Sequence, residues 1–490
     1  MNPAADARRR PLLLAGLLGV LVSGALVMPP LASAHGLVAR QDLPLPEWMF
    51  VWGALVILIV SFVGLSLGWR EPKLEGLAPR PLAALSSILL TRPAQLLFGA
   101  VGVGLLVLTV TTALNGTTRP DQNFSLTFVF VTFWVGLVIV SAFLGDIYRA
   151  FNPWRAIGRA VSSSFSKFVG QEVSSPFTYP ERLGRWPAAF GIFAFLFLEL
   201  VWGYSGFAAS GITPEELGTA TLVYSVYTFV AMGLFGVEPW MRSGDPFSVY
   251  FGMFASLAPL GTTNGEIVGR RPLSGAAEWA KEKGSLAIVV VAIGGTTFDG
   301  AQEGVLSNAV SSLYSTFTDA GLAQPSAYRL TNVLIMAAVI GVVAGIFWGG
   351  ILGMRVVERK LSAIKLARAF THAFIPIALA YIVAHYFSYI FYLEQAQFTF
   401  LLSDPFGNGS DIFGTAGGGV ALDSISADTI WWVQFGAIVG GHVVALALGH
   451  DRALAIWGNS RDAVWSQVWM LVMMMMFSVG GLYLLSQSNG

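Results

Sequence analysis

Residues 380–391, AYIVAHYFSYIF, hold one imidazole, His385, in a run that is otherwise apolar and aromatic. Two other stretches share that composition: 435–448, FGAIVGGHVVALAL, with His442, and 289–300, VVVAIGGTTFDG, with Asp299. The whole chain fixes what these runs mean. It is 55% hydrophobic and 11% charged, with mean hydropathy +0.67, against about 25% charged residues in an average soluble domain. Several apolar runs reach the roughly 20 residues that cross about 30 Å of hydrocarbon. The sequence therefore predicts an all-α, polytopic transmembrane helical bundle. An Asp at the centre of a span costs about 2.5–3.5 kcal/mol on insertion scales, so buried ionisable groups usually face a partner, a cavity or an ion. The formal net charge of zero gives no argument for nucleic acid as a partner. The expected partners are the lipid bilayer and a small apolar substrate, with room for a partner subunit. Cysteine is absent, which excludes disulfides, thiolate metal sites and cysteine nucleophiles.

The domain organisation is simple. Residues 1–34 read as an export signal: Arg8, Arg9 and Arg10, an apolar core from Leu12 to Val27, then Ala32-Ser33-Ala34 as a small-residue cleavage site. The alternative is an uncleaved first span. Cleavage after Ala34 leaves residues 35–490 as one transmembrane domain beginning His35-Gly36, with an imidazole and a free α-amine on one residue, a pair able to chelate a metal.

About 10–11 spanning helices are expected after signal removal, including runs near 48–69, 94–114, 124–145, 187–209, 217–237, 329–354, 370–393, 430–449 and 465–486. Lys and Arg gather in 70–92, 146–186 and 355–368, while the aspartate-bearing 394–428 has none. By the positive-inside rule the mature N-terminus is extracytoplasmic, in a bacterial cell membrane. Residues 246–300 break the count. The run 246–262 is short and carries Pro246 and Pro259, which suggests a re-entrant segment. The helix entering Gly294-Gly295-Thr296-Thr297-Phe298-Asp299 is expected to stop within the membrane, as discontinuous helices do at binding sites.

At about 1.5 Å rise per residue, Asp299 lies roughly 22 Å from Gly284, and Glu199, in FLFLELVWGY, roughly 18 Å from Pro187. His385 lies about 12 Å below Leu393, and His442 about 17 Å below Trp431. Four ionisable groups on four helices thus share one layer of the outer half. Imidazoles and carboxylates suit a divalent metal ion, zinc or copper, or a proton relay. The candidate metal ligands are His385, His442, Asp299 and His35, and the candidate proton acceptors are Glu199 and Glu303. Tyr381, one turn before His385, is placed to bond to it. His372 and His450 read as helix-end residues, and Met473 to Met476, pointing all round a helix, as packing or lipid-facing.

The His35-Gly36 start, the run Thr296-Thr297-Phe298-Asp299-Gly300, the stretch Ala384-His385-Tyr386-Phe387-Ser388, and Gly441-His442 through His450-Asp451-Arg452-Ala453-Leu454 resemble the actinobacterial membrane proteins labelled fenitrothion hydrolase. The resemblance spans most of the chain. It implies hydrolysis of an organophosphate triester, with metal-bound water as the compatible nucleophile source. Two other classes fit the same residues: an ion- or proton-coupled transporter, and a protein that handles a metal such as copper without turnover.

Overall fold

A computed structural model describes residues 47–76, 78–172, 174–203, 211–302, 304–357, 361–458 and 460–488. The export signal and His35 therefore lie outside the described residues, as does Glu303. The chain is helical almost throughout. The longer helices are α1 (Glu47–Gly68), α2 (Arg92–Asn115), α3 (Phe124–Leu144), α4 (Pro153–Val169), α5 (Trp186–Trp202) and α6 (Pro214–Phe235). They continue with α7 (Pro246–Ala255), α8 (Ser285–Gln302), α9 (Ser307–Asp319), α10 (Gln324–Val357), α11 (Ala363–Leu401), α12 (Ala427–Trp457) and α13 (Ser460–Ser488). Among the described residues nine helices are long and apolar enough to cross a bilayer, while α5 and α7 are apolar but shorter. This is a multi-pass, membrane-type helical bundle.

Local chemistry sets the helix ends. Thr213 caps α6 through a reciprocal bond with Glu216. Asn152 caps α4 by accepting from the Arg155 amide, so the Asn-Pro pair splits the arginine-rich segment into a short helix, Ile147–Phe151, and α4. Gly102 lets α2 lie directly on that junction: a Cβ there would stand 1.8 Å from the Phe151 carbonyl oxygen.

The break expected across 246–300 is confined to its first part. Helix α7 is buried along nearly its whole length, and an antiparallel sheet follows it, with β1 (Arg80–Pro81), β2 (Leu260–Thr263) and β3 (Glu266–Gly269) in the order β1-β3-β2. Helix α8 does not stop at Gly294; it runs unbroken to Gln302. Its glycines serve packing instead, since Cβ atoms at Gly294 and Gly295 would meet Ile340 at 2.7 Å and Leu196 at 2.4 Å. Neighbouring helices thus press against α8, the most enclosed of the nine spans.

A second departure concerns His450-Asp451-Arg452. These residues do not close a helix; α12 continues to Trp457. The Asp451 carboxylate accepts from the Trp69 indole and from the backbone amides of Lys73, Leu74 and Glu75, while Arg452 pairs with Glu75. His450 bonds to the Trp69 carbonyl and to Gln467. With its charges satisfied by the segment after α1, the triplet stays inside the helix. His372 is buried in a short 3-10 turn, Thr371–Phe374, inside α11 and not at its end. Met473, Met474 and Met475 pack inside the bundle, Met473 lying against Gly350.

Candidate functional site

Two of the sequence-predicted residues meet. Asp299 lies on the last turn of α8 and faces α11. Its Oδ2 accepts from His385 Nε2 at 2.8 Å and from the Tyr386 hydroxyl at 2.7 Å, and its Oδ1 accepts from Gln302 Nε2 at 3.3 Å. An ionised acceptor makes such bonds stronger than neutral ones. The pair is partly enclosed, with side chains 25% exposed at His385 and 17% at Asp299.

Glu199 joins this centre electrostatically. It lies on a π-helical turn, Leu198–Trp202, within α5, and such turns occur often at functional sites. Its charge interacts with that of Asp299, and both act on Tyr386. Among the described residues the Glu199 Oε2, which is buried, has no hydrogen-bond partner. Among the described residues, no lysine or arginine pairs with Asp299, His385 or Glu199.

The remaining candidates stand apart. His442 is fully buried, and its Nδ1 donates to the Ile438 carbonyl at 2.8 Å, one turn back on its own helix. That bond leaves an Nε2 lone pair, which is buried and unpartnered. The orientation is the one a metal-ligating histidine adopts, yet no second ligand is gathered with it. Among the described residues no three His, Cys, Asp or Glu side chains form a group able to hold a metal. The expected shell of His385, His442 and Asp299 is therefore not assembled, and His35 and Glu303 lie outside the described residues. Tyr381 does not bond to His385; its hydroxyl donates to the Phe477 carbonyl at 2.5 Å on α13.

Two participants escaped the sequence reading. Tyr386 is adjacent to His385, and only the position of Asp299 between them shows that both can reach one carboxylate. Glu394 falls beyond the helix expected near 370–393, but α11 runs on to Leu401 through a π-helical turn of its own, Gln397–Leu401. Glu394 is thus a carboxylate inside the span, accepting from Thr132 at 3.1 Å. The signal was present in the sequence as the apolar residues Phe398, Phe400 and Leu401 that follow it.

A small cavity of about 30 Å³ borders the pair, lined by Thr297, Gly300, Tyr381 and His385 among others. That is room for one water molecule. The His385 Nδ1 lies on the Gly300 side of the ring, 3.4 Å from where a Cβ on that glycine would stand. The arrangement is an oriented acid–base pair: Asp299 fixes the imidazole through one nitrogen and leaves the other to exchange a proton. Compared with known proteins, the chain matches no family model, no curated protein and no solved structure.

Proposed function

We propose that this chain is a proton-coupled membrane transporter whose working centre is Asp299, His385, Tyr386 and Glu199. The observation that carries the reading is the Asp299–His385 pair, joined at 2.8 Å inside the bundle, within electrostatic reach of the Glu199 carboxylate and, among the described residues, with no lysine or arginine bonded to either. Fully deprotonated, the two acids and one imidazole carry a charge of −2. Two protons make the centre neutral, and each proton lost leaves an uncompensated charge in a medium of low dielectric. Such a group stores protons or another small cation and releases them when its surroundings change. The unpartnered Glu199 oxygen supports this, because it provides a place for one of those protons.

Reconstituted vesicles test the proposal. A membrane potential imposed on proteoliposomes should drive proton entry read by an internal pH dye, and Asp299→Asn and His385→Gln should abolish it while the protein remains folded. pH-difference infrared spectra in bilayers should show carboxyl bands that vanish in Asp299→Asn and Glu199→Gln. Proton entry equal to that of protein-free vesicles, together with no such bands, would overturn the reading.

The resemblance to hydrolases gives a second reading, favoured by the one-water cavity beside His385. There the Asp299-oriented imidazole would take a proton from water as the water oxygen bonds to the phosphorus of a phosphotriester, and would return it to the leaving alkoxide or phenoxide as that group's P–O bond breaks. No step through a metal is drawn, because the described residues do not gather a shell for one. Release of chromophore from a chromogenic phosphotriester, lost in His385→Gln, is the outcome that would select this reading over the first.

A further inference from the structure

A large apolar void lies away from the Asp299 centre. This half-open void of about 700 Å³ is bounded by α2, α3, α5 and α6, with a floor formed by the junction of Ile147–Phe151 and α4. Its volume is that of an ordinary small-ligand pocket, but its walls differ from those of such a pocket. Ligand sites place a few polar groups to orient what they bind, and here those groups are turned away. The hydroxyls of Thr109 and Thr221 donate to carbonyls of their own helices, at 2.8 Å each, and that of Thr132 donates to Glu394. The Trp154 indole donates to Ser225, and the Tyr224 hydroxyl to Asp245. The Tyr148 hydroxyl is sealed within the protein. What remains facing the void is almost entirely hydrocarbon and ring faces.

Height and opening identify the occupant. Along α6 the lining runs from Leu217 to Tyr227, ten residues or about 15 Å of helical rise. That is the thickness of one leaflet, half of an about 30 Å hydrocarbon core. Phe190 of α5 and Val223 of α6, both on the wall, are 73% and 64% exposed. In a bilayer those surfaces meet lipid tails, so the void opens sideways into the acyl region and not into water.

The geometry points to a built-in site for one hydrocarbon chain of a bilayer lipid, held between α2, α3, α5 and α6 over the Trp154 floor. The chain would be recognised by shape and apolar contact alone, so chain length matters and head-group identity does not. It would also complete the packing of α3, whose Thr132 hydroxyl holds Glu394, and so would join the lipid to the polar interior. The inference stands independently of the proton-coupled reading.

Trp154 provides the probe. It is the tryptophan in the wall and only 6% exposed, so an acyl chain reaches it only from inside the void. In bilayers of phospholipid brominated at mid-chain, the emission difference between wild type and Trp154→Phe should lose most of its intensity relative to unbrominated bilayers. Ala220→Phe, which narrows the void from α6, should restore much of it. Lipid retained through purification, counted by mass spectrometry, should fall by one molecule per chain in Ala220→Phe. Equal difference emission in brominated and plain bilayers, or an unchanged lipid count on filling, would overturn the proposal. Quenching by brominated detergent in micelles but not by brominated lipid in bilayers would overturn it too, showing an adventitious additive only.

Discussion

Removing Asp299 measures how far its bonded neighbours depend on it. Asp299→Ala leaves three donors without an acceptor: His385 Nε2, the Tyr386 hydroxyl and Gln302 Nε2. Stranding a buried polar group costs about 1–3 kcal/mol. The first two bonds are short and the third, at 3.3 Å, is weak, so the total comes to roughly 3–6 kcal/mol. The share owed to His385 alone is smaller. A hydrogen bond to a charged group contributes about 1.5–3 kcal/mol in water-soluble proteins, whereas interhelical bonds in membranes average about 0.6 and reach about 1.7 kcal/mol. The membrane scale governs here, because helices separated in lipid find other partners. The acceptor is ionised and the geometry good, which moves the value to the upper end, and partial exposure of both side chains discounts it again. A coupling of about 1–2 kcal/mol is expected. The assay is a double-mutant cycle of Asp299→Asn and His385→Leu, read by reversible unfolding in mixed micelles. Independent sites add to within about 0.3–0.5 kcal/mol, so a coupling inside that range would refute the claim that the two residues form one unit.

Three further outcomes follow from the geometry. Arg185, with its side chain 8% exposed, donates to the Trp279 carbonyl and Ser285, stacks on the Trp279 ring at 4.1 Å and pairs with Glu282. Burial lowers its pKa to about 10 against the opposing pull of Glu282, so it is charged at neutral pH, and Arg185→Met should cost about 3–5 kcal/mol, seen as a lowered Tm. Gly102→Ala should destabilise by more than about 3 kcal/mol, since its Cβ would strike backbone at 1.8 Å, while Gly104→Ala on the same helix meets nothing within 4 Å and should be neutral. The loop after α11 should open in acid. Burial raises the Asp404 carboxyl, but bonds from Ser410, Gly409 and Asn408 together outweigh it, and the Ser403 hydroxyl and Ala416 amide hold Asp411 below the ordinary carboxylate range. Depressed values mean the stabilisation is present at neutral pH and disappears as pH falls below about 4 through the folded values. Hydrogen exchange at Gly409 and Ala416 should then lose its protection, and protection unchanged down to strong acid would contradict the assignment.

Composition and periodicity announce the helical membrane bundle, and Asp299 and His385 stand out as costly groups in apolar runs. Their pairing is not legible in the sequence, because depth along two helices leaves their rotation undetermined. His442 shows this: it shares the layer, yet its ring turns back on its own helix and bonds to Ile438. The Gly294-Gly295 pair misleads for a related reason. Glycine marks both a helix break and a close helix contact, and only the arrival of Ile340 and Leu196 distinguishes them. Glu394 was hidden by a boundary, since a carboxylate near the end of an apolar run reads as its terminus until the π-helical continuation is seen. The sheet that joins Arg80–Pro81 to Glu266–Gly269 and the hold of Asp451 on the amides of 73–75 are likewise unannounced, since each brings together segments far apart in the chain.

The Asp451 clasp also bears on how the chain is made. The amides it holds follow the first described span, and the carboxylate arrives some 376 residues later. Until that late helix is inserted, the amides of 73–75 lack the carboxylate that gathers them and ties the first helix to the last two. Truncation before Asp451 should therefore release the start of the protein as well as its end, and closure of the bundle belongs among the last events of its biogenesis.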